Sequence, residues 1–274
     1  MFTASRTALR QLLAGDGCIA PASVFDPISA RIAEQLGYPC LMLAGSTASL
    51  AILGAPDIVA ITLTEFADLA TRITRASRVP LLVDADAGYG NAANAMRTAI
   101  ELCRAGVSGM TLEDTDLPNP HGATAPRLIS RAEGEAKLRA ALHARPDPDM
   151  VIVGRTSAVS IDGLDEAIAR VALYDAAGVD ALFFNGVDTV EQLQALRAAT
   201  RLPFILGGTK LTDRSVLAAH GVRIALRGHQ PIMAAIAAVE ATMLALRDGT
   251  PLPPLASAAL LQRTTSGFEP PQNG

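Results

Sequence analysis

The chain runs to 274 residues, half of them hydrophobic, 4% aromatic and 18% charged, with 27 acidic side chains against 23 basic ones. The net charge of −4 argues against sequence-blind nucleic-acid binding, which needs a basic face. Length alone allows one large domain or two small ones, and the aliphatic composition suits a globular protein with many buried strands and well-packed helices.

In chain order, short apolar runs each predict a strand: "PASVFD" (21–26), "CLMLAG" (40–45), "PLLVDAD" (80–86) and "GMTLED" (109–114). The series continues with "MVIVGRT" (150–156), "ALFFNGV" (181–187), "LPFILGG" (202–208) and "RIALRGH" (223–229). Their apolar character is continuous, which predicts strands buried on both faces of a parallel sheet. Amphipathic helical patterns lie between them at 27–37, 64–77, 92–106, 132–144, 164–178, 190–200 and 213–221. Three of these, "LCRAG", "YDAAG" and "LAAHG", end in a glycine where a helix normally stops.

Eight such units in this length predict the α/β class and a (β/α)8 TIM-type barrel. A doubly wound open sheet is the alternative, because periodicity does not reveal closure. No stretch reads as an interdomain linker, so residues 1–274 are expected to form one barrel domain with a short N-terminal helix. The stretch 251–274 is proline-rich, and its final residues are expected to be a loose tail.

The three cysteines, Cys18, Cys40 and Cys103, have neither metal spacing nor a disulfide framework, and Cys40 and Cys103 read as core residues. The basic stretch "TRITRASR" (71–78) alternates with apolar residues at helical spacing and reads as a solvated helix face. No run reaches the roughly 18 uninterrupted apolar residues of a membrane span, and the N-terminus lacks a secretory core with a cleavage site. A cytoplasmic protein with no membrane or nucleic-acid partner is expected.

In a β/α barrel the carboxyl ends of the strands converge on one mouth. The predicted strands end at Asp26, Gly45-Ser46-Thr47, Asp84 and Asp86, Glu113-Asp114, Arg155-Thr156, Asn185, and Arg227 with His229. Asp84, Asp86 and Glu113 come from neighbouring strands and offer hard oxygen ligands, which suit Mg²⁺ or Mn²⁺ and not zinc. Helix capping, or pairing with Arg155, is the alternative for each acid. Arg155 can clamp a substrate carboxylate in two places, or form a structural ion pair with Glu113 or Asp114. Gly45-Ser46-Thr47 can cradle a carboxylate on its amides and hydroxyls, or be ordinary turn chemistry. His229 can donate to a developing oxyanion, or be a helix-capping or satisfied core residue.

Together, "FDPISARIAEQLGY", "LAGSTASLAILGAPD", "DADAGYGN", "TLEDTDLP", "GRTSA" and "RGH" resemble the isocitrate lyase/phosphoenolpyruvate mutase superfamily over about residues 20–247. Within it the chain is most similar to the oxaloacetate decarboxylase branch, through "SVFDPISARIA", "ITLTEFADLATRITR" and the terminal "GH". The resemblance implies a barrel whose last helix packs on a neighbouring subunit, and a homotetramer. It implies a Mg²⁺ ion that chelates a small 2-keto dicarboxylate, with Asp84 as the principal carboxylate and Asp57, Asp86 and Glu113 supporting the metal's waters. Ser46 then contacts the substrate carboxylate, and Arg155 and His229 bind substrate.

The activity implied is Mg²⁺-dependent decarboxylation of oxaloacetate, or a close 2-keto dicarboxylate, to pyruvate and CO2. Another C–C lyase or hydrolase of the superfamily, acting on methylisocitrate or a substituted malate, is one alternative. A non-catalytic relative that binds Mg²⁺ and dicarboxylate is another. The chain departs from the superfamily in two places. The loop "LPNPHGATAPRLIS" (117–130) lacks the lyases' cysteine and the mutases' lysine, and Gly207-Gly208-Thr209 stands where the decarboxylase branch has a tyrosine.

Overall fold

All eight apolar runs become parallel strands in the computed structural model, which describes residues 2–266. They are β1 (Ala22–Ser23), β2 (Leu41–Leu43), β3 (Leu81–Asp84), β4 (Gly109–Glu113), β5 (Val151–Thr156), β6 (Ala181–Asn185), β7 (Phe204–Gly207) and β8 (Val222–Ala225). Each pairs with the next in sequence order. Just ahead of β1, the Ile19 N–H donates to Arg223 at 2.9 Å, and its carbonyl accepts from Ala225 at 2.8 Å. This parallel bridge to β8 returns the strand order to its start, giving a TIM-like barrel and not an open sheet.

The helices are α1 (Thr3–Ala14), α2 (Pro27–Gln35), α3 (Gly45–Leu53), α4 (Leu63–Ala76), α5 (Ala92–Arg104), α6 (Arg131–Ala144), α7 (Ala158–Ile161), α8 (Leu164–Ala177), α9 (Val190–Ala199), α10 (Arg214–Ala219), α11 (Gln230–Asp248) and α12 (Ala258–Thr265). Reciprocal capping boxes start α2, α4, α5 and α9. One of them shortens β1: Asp26 caps α2, accepting from the Ser29 N–H at 2.6 Å, so it does not reach the mouth. Gly178 stops α8 in the left-handed region at φ 92°, as its place after "YDAA" predicts. The proline-rich stretch contains α12, which docks on α2 where Arg31 and Gln35 donate to the carbonyls of Thr264 and Arg263. The final tail, residues 267–274, lies outside the described residues.

The barrel carries two apolar layers. Inside it, Cys40, Met42, Leu82, Val151, Val153, Phe183, Ile205 and Ile224 meet Leu9 and Leu13 of α1. Thus α1 plugs the end opposite the mouth. Arg6 fixes that plug by donating to the carbonyls of Val107 (3.1 Å) and Cys103 (2.6 Å) and pairing with Asp147. Outside it, Phe66, Ile73, Leu102, Leu138, Leu193 and Leu217 from the helices cover Leu81, Val83 and Ile152. All three cysteines are free and buried, as small core residues.

The exception to this covering is α11. Of its 19 residues only Ile232 and Ala245 are buried, while Met233, Ile236, Val239, Met243, Leu244 and Leu246 are exposed. Among the described residues it is the one helix long and apolar enough, by length and composition alone, to cross a membrane, although Glu240 and Thr242 interrupt its apolar run.

Candidate active site at the carboxyl ends of the strands

A pocket of about 220 Å³ opens at the carboxyl ends of the strands. Its floor is the top of the barrel interior, Met42, Phe183 and Leu226, and its walls include Ser46, Asp57, Asp84, Arg155 and His229. Five residues singled out from the sequence therefore meet in one cavity. Asp86 and Glu113 lie behind this wall, at 5% and 7% exposure, within the same charge cluster.

Asp84 ends β3 with both oxygens engaged. Its Oδ1 accepts from the Asp86 N–H (3.2 Å) and Thr111 Oγ1 (3.3 Å), and its Oδ2 from Arg155. The Arg155 guanidinium also stands 3.3 Å from Glu113 and 5.0 Å from the centre of the Phe183 ring. The ion-pair alternative for Arg155 thus holds with Asp84 and Glu113, whereas Asp114 turns away to Arg170. Burial alone would lower the Arg155 pKa, but Asp84 and Glu113 hold it above its ordinary value.

One guanidinium does not balance this cluster. Burial, reinforced by Asp84, pushes the Asp86 carboxyl up to about 8, and burial pushes Glu113 up to about 7 against the pull of Arg155. Asp86 Oδ2 is buried with no hydrogen-bond partner. Buried carboxylates in surplus over their counter-charge, one with an orphaned oxygen, are the electrostatic condition for a hard divalent cation. No three carboxylate, imidazole or thiol groups form a ready cation cage among the described residues. The donor set fits an ion that keeps most of its waters and takes one or two carboxylates directly.

On the opposite wall, Gly45-Ser46-Thr47 is the first turn of α3 and not a free-standing turn. Its N-cap, Ala44, offers no side-chain acceptor, and Ala44 and Ser46 both line the pocket, so the amide end of the helix lies at the pocket wall. Gly45 packs closely here, since a Cβ there would lie 3.0 Å from Asp86 Oδ1 and press on that carboxyl.

His229 occupies the N-cap of α11 but makes no capping bond. Its Nδ1 instead lies 3.0 Å from Ser23 Oγ. Burial lowers its pKa despite Asp84 and Asp57, so the neutral imidazole, with one N–H to donate, prevails near pH 7.

Ser23 was missed because β1 is only two residues long and its strand pattern ran on to Asp26. Asn185, Arg227, Gly207 and Gly208 also line the pocket. Gly207 has a steric reason: a Cβ there would meet Asn185 Oδ1 at 2.7 Å and the Phe183 ring at 2.8 Å, displacing the ring beneath Arg155, whereas Gly208 has open space around it and a left-handed φ of 62°. The loop at 117–130 is largely exposed and places no cysteine or lysine over the site.

The family model described as phosphoenolpyruvate phosphomutase matches residues 9–247. The oxaloacetate decarboxylase of Rhodopseudomonas palustris strain BisB5 is 57% identical over 265 residues, covering 95% of this chain and 92% of that protein. Among solved structures, an oxaloacetate acetylhydrolase in complex with the inhibitor 3,3-difluorooxalacetate superposes with a TM-score of 0.85 at 30% identity, covering 96% of this chain and 93% of its own. A phosphonopyruvate hydrolase complex with oxalate and Mg²⁺ gives 0.83 at 27% identity, covering 95% and 94%.

Proposed function

Because the chain belongs to the phosphoenolpyruvate phosphomutase family, an enzyme family with carbon–carbon lyases among its structural neighbours, we propose that it decarboxylates oxaloacetate to pyruvate and carbon dioxide. A close 2-keto dicarboxylate would meet the same groups. Mg²⁺, or Mn²⁺ in its place, would be held by Asp84, with Asp86, Glu113 and Asp57 bonding its waters. When bound, the cation supplies Lewis acidity toward the 2-keto group, worth several kcal/mol.

The chain's own groups do the rest. The amide end of α3, at Gly45 and Ser46, binds the C1 carboxylate. The bond from C3 to the C4 carboxylate breaks, its electron pair passes to C3 and is delocalised onto the keto oxygen, and C4 leaves as CO2. Arg155 and the neutral His229 donate hydrogen bonds where that negative charge develops. One proton then adds at C3 to complete pyruvate. No covalent nucleophile is needed, which agrees with a 117–130 loop without cysteine or lysine.

The observation that carries this reading is the charge surplus around Asp84, set in one pocket with Arg155 and the α3 amide end; the 57% likeness to a decarboxylase supports the substrate. Hydrolysis of oxaloacetate to oxalate and acetate is the second reading, favoured by the likeness to the acetylhydrolase. With ¹³C-labelled oxaloacetate and Mg²⁺, NMR is expected to show pyruvate and CO2 only. Equimolar oxalate and acetate would replace decarboxylation with hydrolysis.

We also propose that α11 packs on a second copy, in a homotetramer built from such pairs. Its bare apolar face supports this, as does a groove of about 770 Å³ lined by Ile28, Ile32, Leu36 and Tyr38 beside its start.

A further inference from the structure

Behind the strand ends lies a second buried polar cluster, which the proposed reaction does not use. Asp114 follows Glu113 at the end of β4, and its Oδ2 accepts from Tyr174 Oη at 2.7 Å and Arg170 Nη1 at 3.0 Å. All three are essentially inaccessible, at 2%, 1% and 3% exposure. Arg170 Nε also donates to Glu166 at 2.8 Å, and Glu166 in turn pairs with Arg131 at the start of α6. Lys137, buried on α6, adds a positive charge within electrostatic reach of Glu113, Asp114 and Asp116.

Burying this much charge gains a fold little, since hydrophobic side chains of similar volume would serve as well or better. The geometry indicates another use. The chain leaves β4 at Asp114, makes the exposed loop and returns at Ile129, whose N–H donates to the Asp114 carbonyl at 2.9 Å. Thr115 bridges Leu128 antiparallel, the Asp116 N–H donates to the Arg127 carbonyl at 2.9 Å, and Arg127 Nε donates to Asp116 at 2.6 Å. The loop therefore stands on a narrow two-stranded neck. Arg170 grips both sides of its root, with Nη1 on the Asp114 carboxylate and Nη2 on the Ile129 carbonyl at 2.8 Å.

The slot that admits Tyr174 is cut from both neighbours. A Cβ on Gly134 of α6 would lie 2.6 Å from Tyr174 Oη, and one on Gly154 of β5 would lie 3.2 Å from its ring. Small residues at both positions let the hydroxyl reach Asp114.

We propose that Arg170, Asp114 and Tyr174 are positioning residues: a buried clamp that closes the neck of the 115–130 loop and, through the adjoining peptide, sets Glu113 behind the pocket. Glu113 is the next residue in the chain, and the Asp114 N–H donates to the Arg155 carbonyl at 3.3 Å, so the clamp adjoins two residues of the site. This extends the reading of the pocket as the catalytic site, but its structural half can be tested without any substrate.

The test compares wild type with Tyr174→Phe, which loses one hydroxyl and keeps the ring in its slot, and with Arg170→Lys, which cannot bond both sides of the neck. Trypsin cleavage after Arg127 requires the neck to unpair, whereas cleavage within the barrel requires global unfolding. Loss of a hydrogen bond to a buried charge is expected to raise nicking at Arg127 about tenfold in Tyr174→Phe, and further in Arg170→Lys. With oxaloacetate, kcat is expected to fall about tenfold while KM stays within about twofold, because the groups that bind substrate are untouched. Unchanged nicking at Arg127 in both variants would overturn the clamp. Faster nicking with unchanged kcat would overturn the positioning role. The nicking comparison needs no substrate, so it decides the clamp even if oxaloacetate proves to be the wrong one.

Discussion

Arg155 is held on three sides, by Asp84, by Glu113 and by the face of Phe183. A lysine could meet one of these carboxylates but cannot span both and stack on the ring. Arg155→Lys is therefore expected to lower kcat/KM for oxaloacetate by about 10²–10³-fold with the fold intact; steady-state kinetics and circular dichroism check this. Little change would mean that the guanidinium is only a structural counter-ion. Asp84, Asp86, Glu113 and Arg155 were legible in the sequence because each sits at the end of a short, continuously apolar run, where burying charge demands a reason. Ser23 was not legible, since a hydroxyl in a two-residue strand leaves no pattern. Which groups pair was also hidden: Asp114 and Glu113 are adjacent in sequence, yet strand alternation sends one to Arg170 and the other toward Arg155.

Periodicity located the strands and seven of the helices, but it failed for elements whose neighbours decide their form. In α3, "GSTASLAIL" is small and apolar with no polar face to mark it as a surface helix, and its amide end is what the site uses. In α12 a proline-rich approach hid a helix that is tied down by Arg31 and Gln35 from α2. The 19 residues of α11 are the reverse case, a helix without enough of its own chain to cover it. Burying its face against a second copy stabilises at roughly 25 cal/mol per Å² of apolar area. Val239→Asp, at the middle of that face, is expected to yield smaller species by sedimentation velocity while retaining its helical signal. A monomeric wild type at micromolar concentration would contradict the pairing.

At the scale of the whole molecule, the mouth stores an electrostatic debt that links stability to pH and to metal. Asp86 and Glu113 have folded-state pKa values raised above their ordinary values, chiefly by burial. The stability they contribute is fully present below the ordinary carboxylate range and is lost as pH rises through about 7 to 8. The metal-free protein is thus expected to melt at progressively lower temperature between pH 5 and pH 8.5, by about the linkage of two carboxyls. On the proposed reading Mg²⁺ would bind the deprotonated form, so it is expected to raise Tm more at pH 8 than at pH 6. Calorimetry with EDTA and with Mg²⁺ at each pH checks the sign, and equal Mg²⁺ effects at both would contradict it. Pyruvate release from oxaloacetate reads out whether Asp84 anchors a metal-assisted decarboxylation. Wild type and Asp84→Ala would be compared with Mg²⁺, against metal-only and EDTA controls, because free Mg²⁺ slowly decarboxylates oxaloacetate by itself. Turnover well above the metal-only rate, abolished by EDTA and lowered at least about 10³-fold in Asp84→Ala, is the expected result. A wild-type rate no faster than metal alone, or an Asp84→Ala variant as active as wild type, would contradict the account.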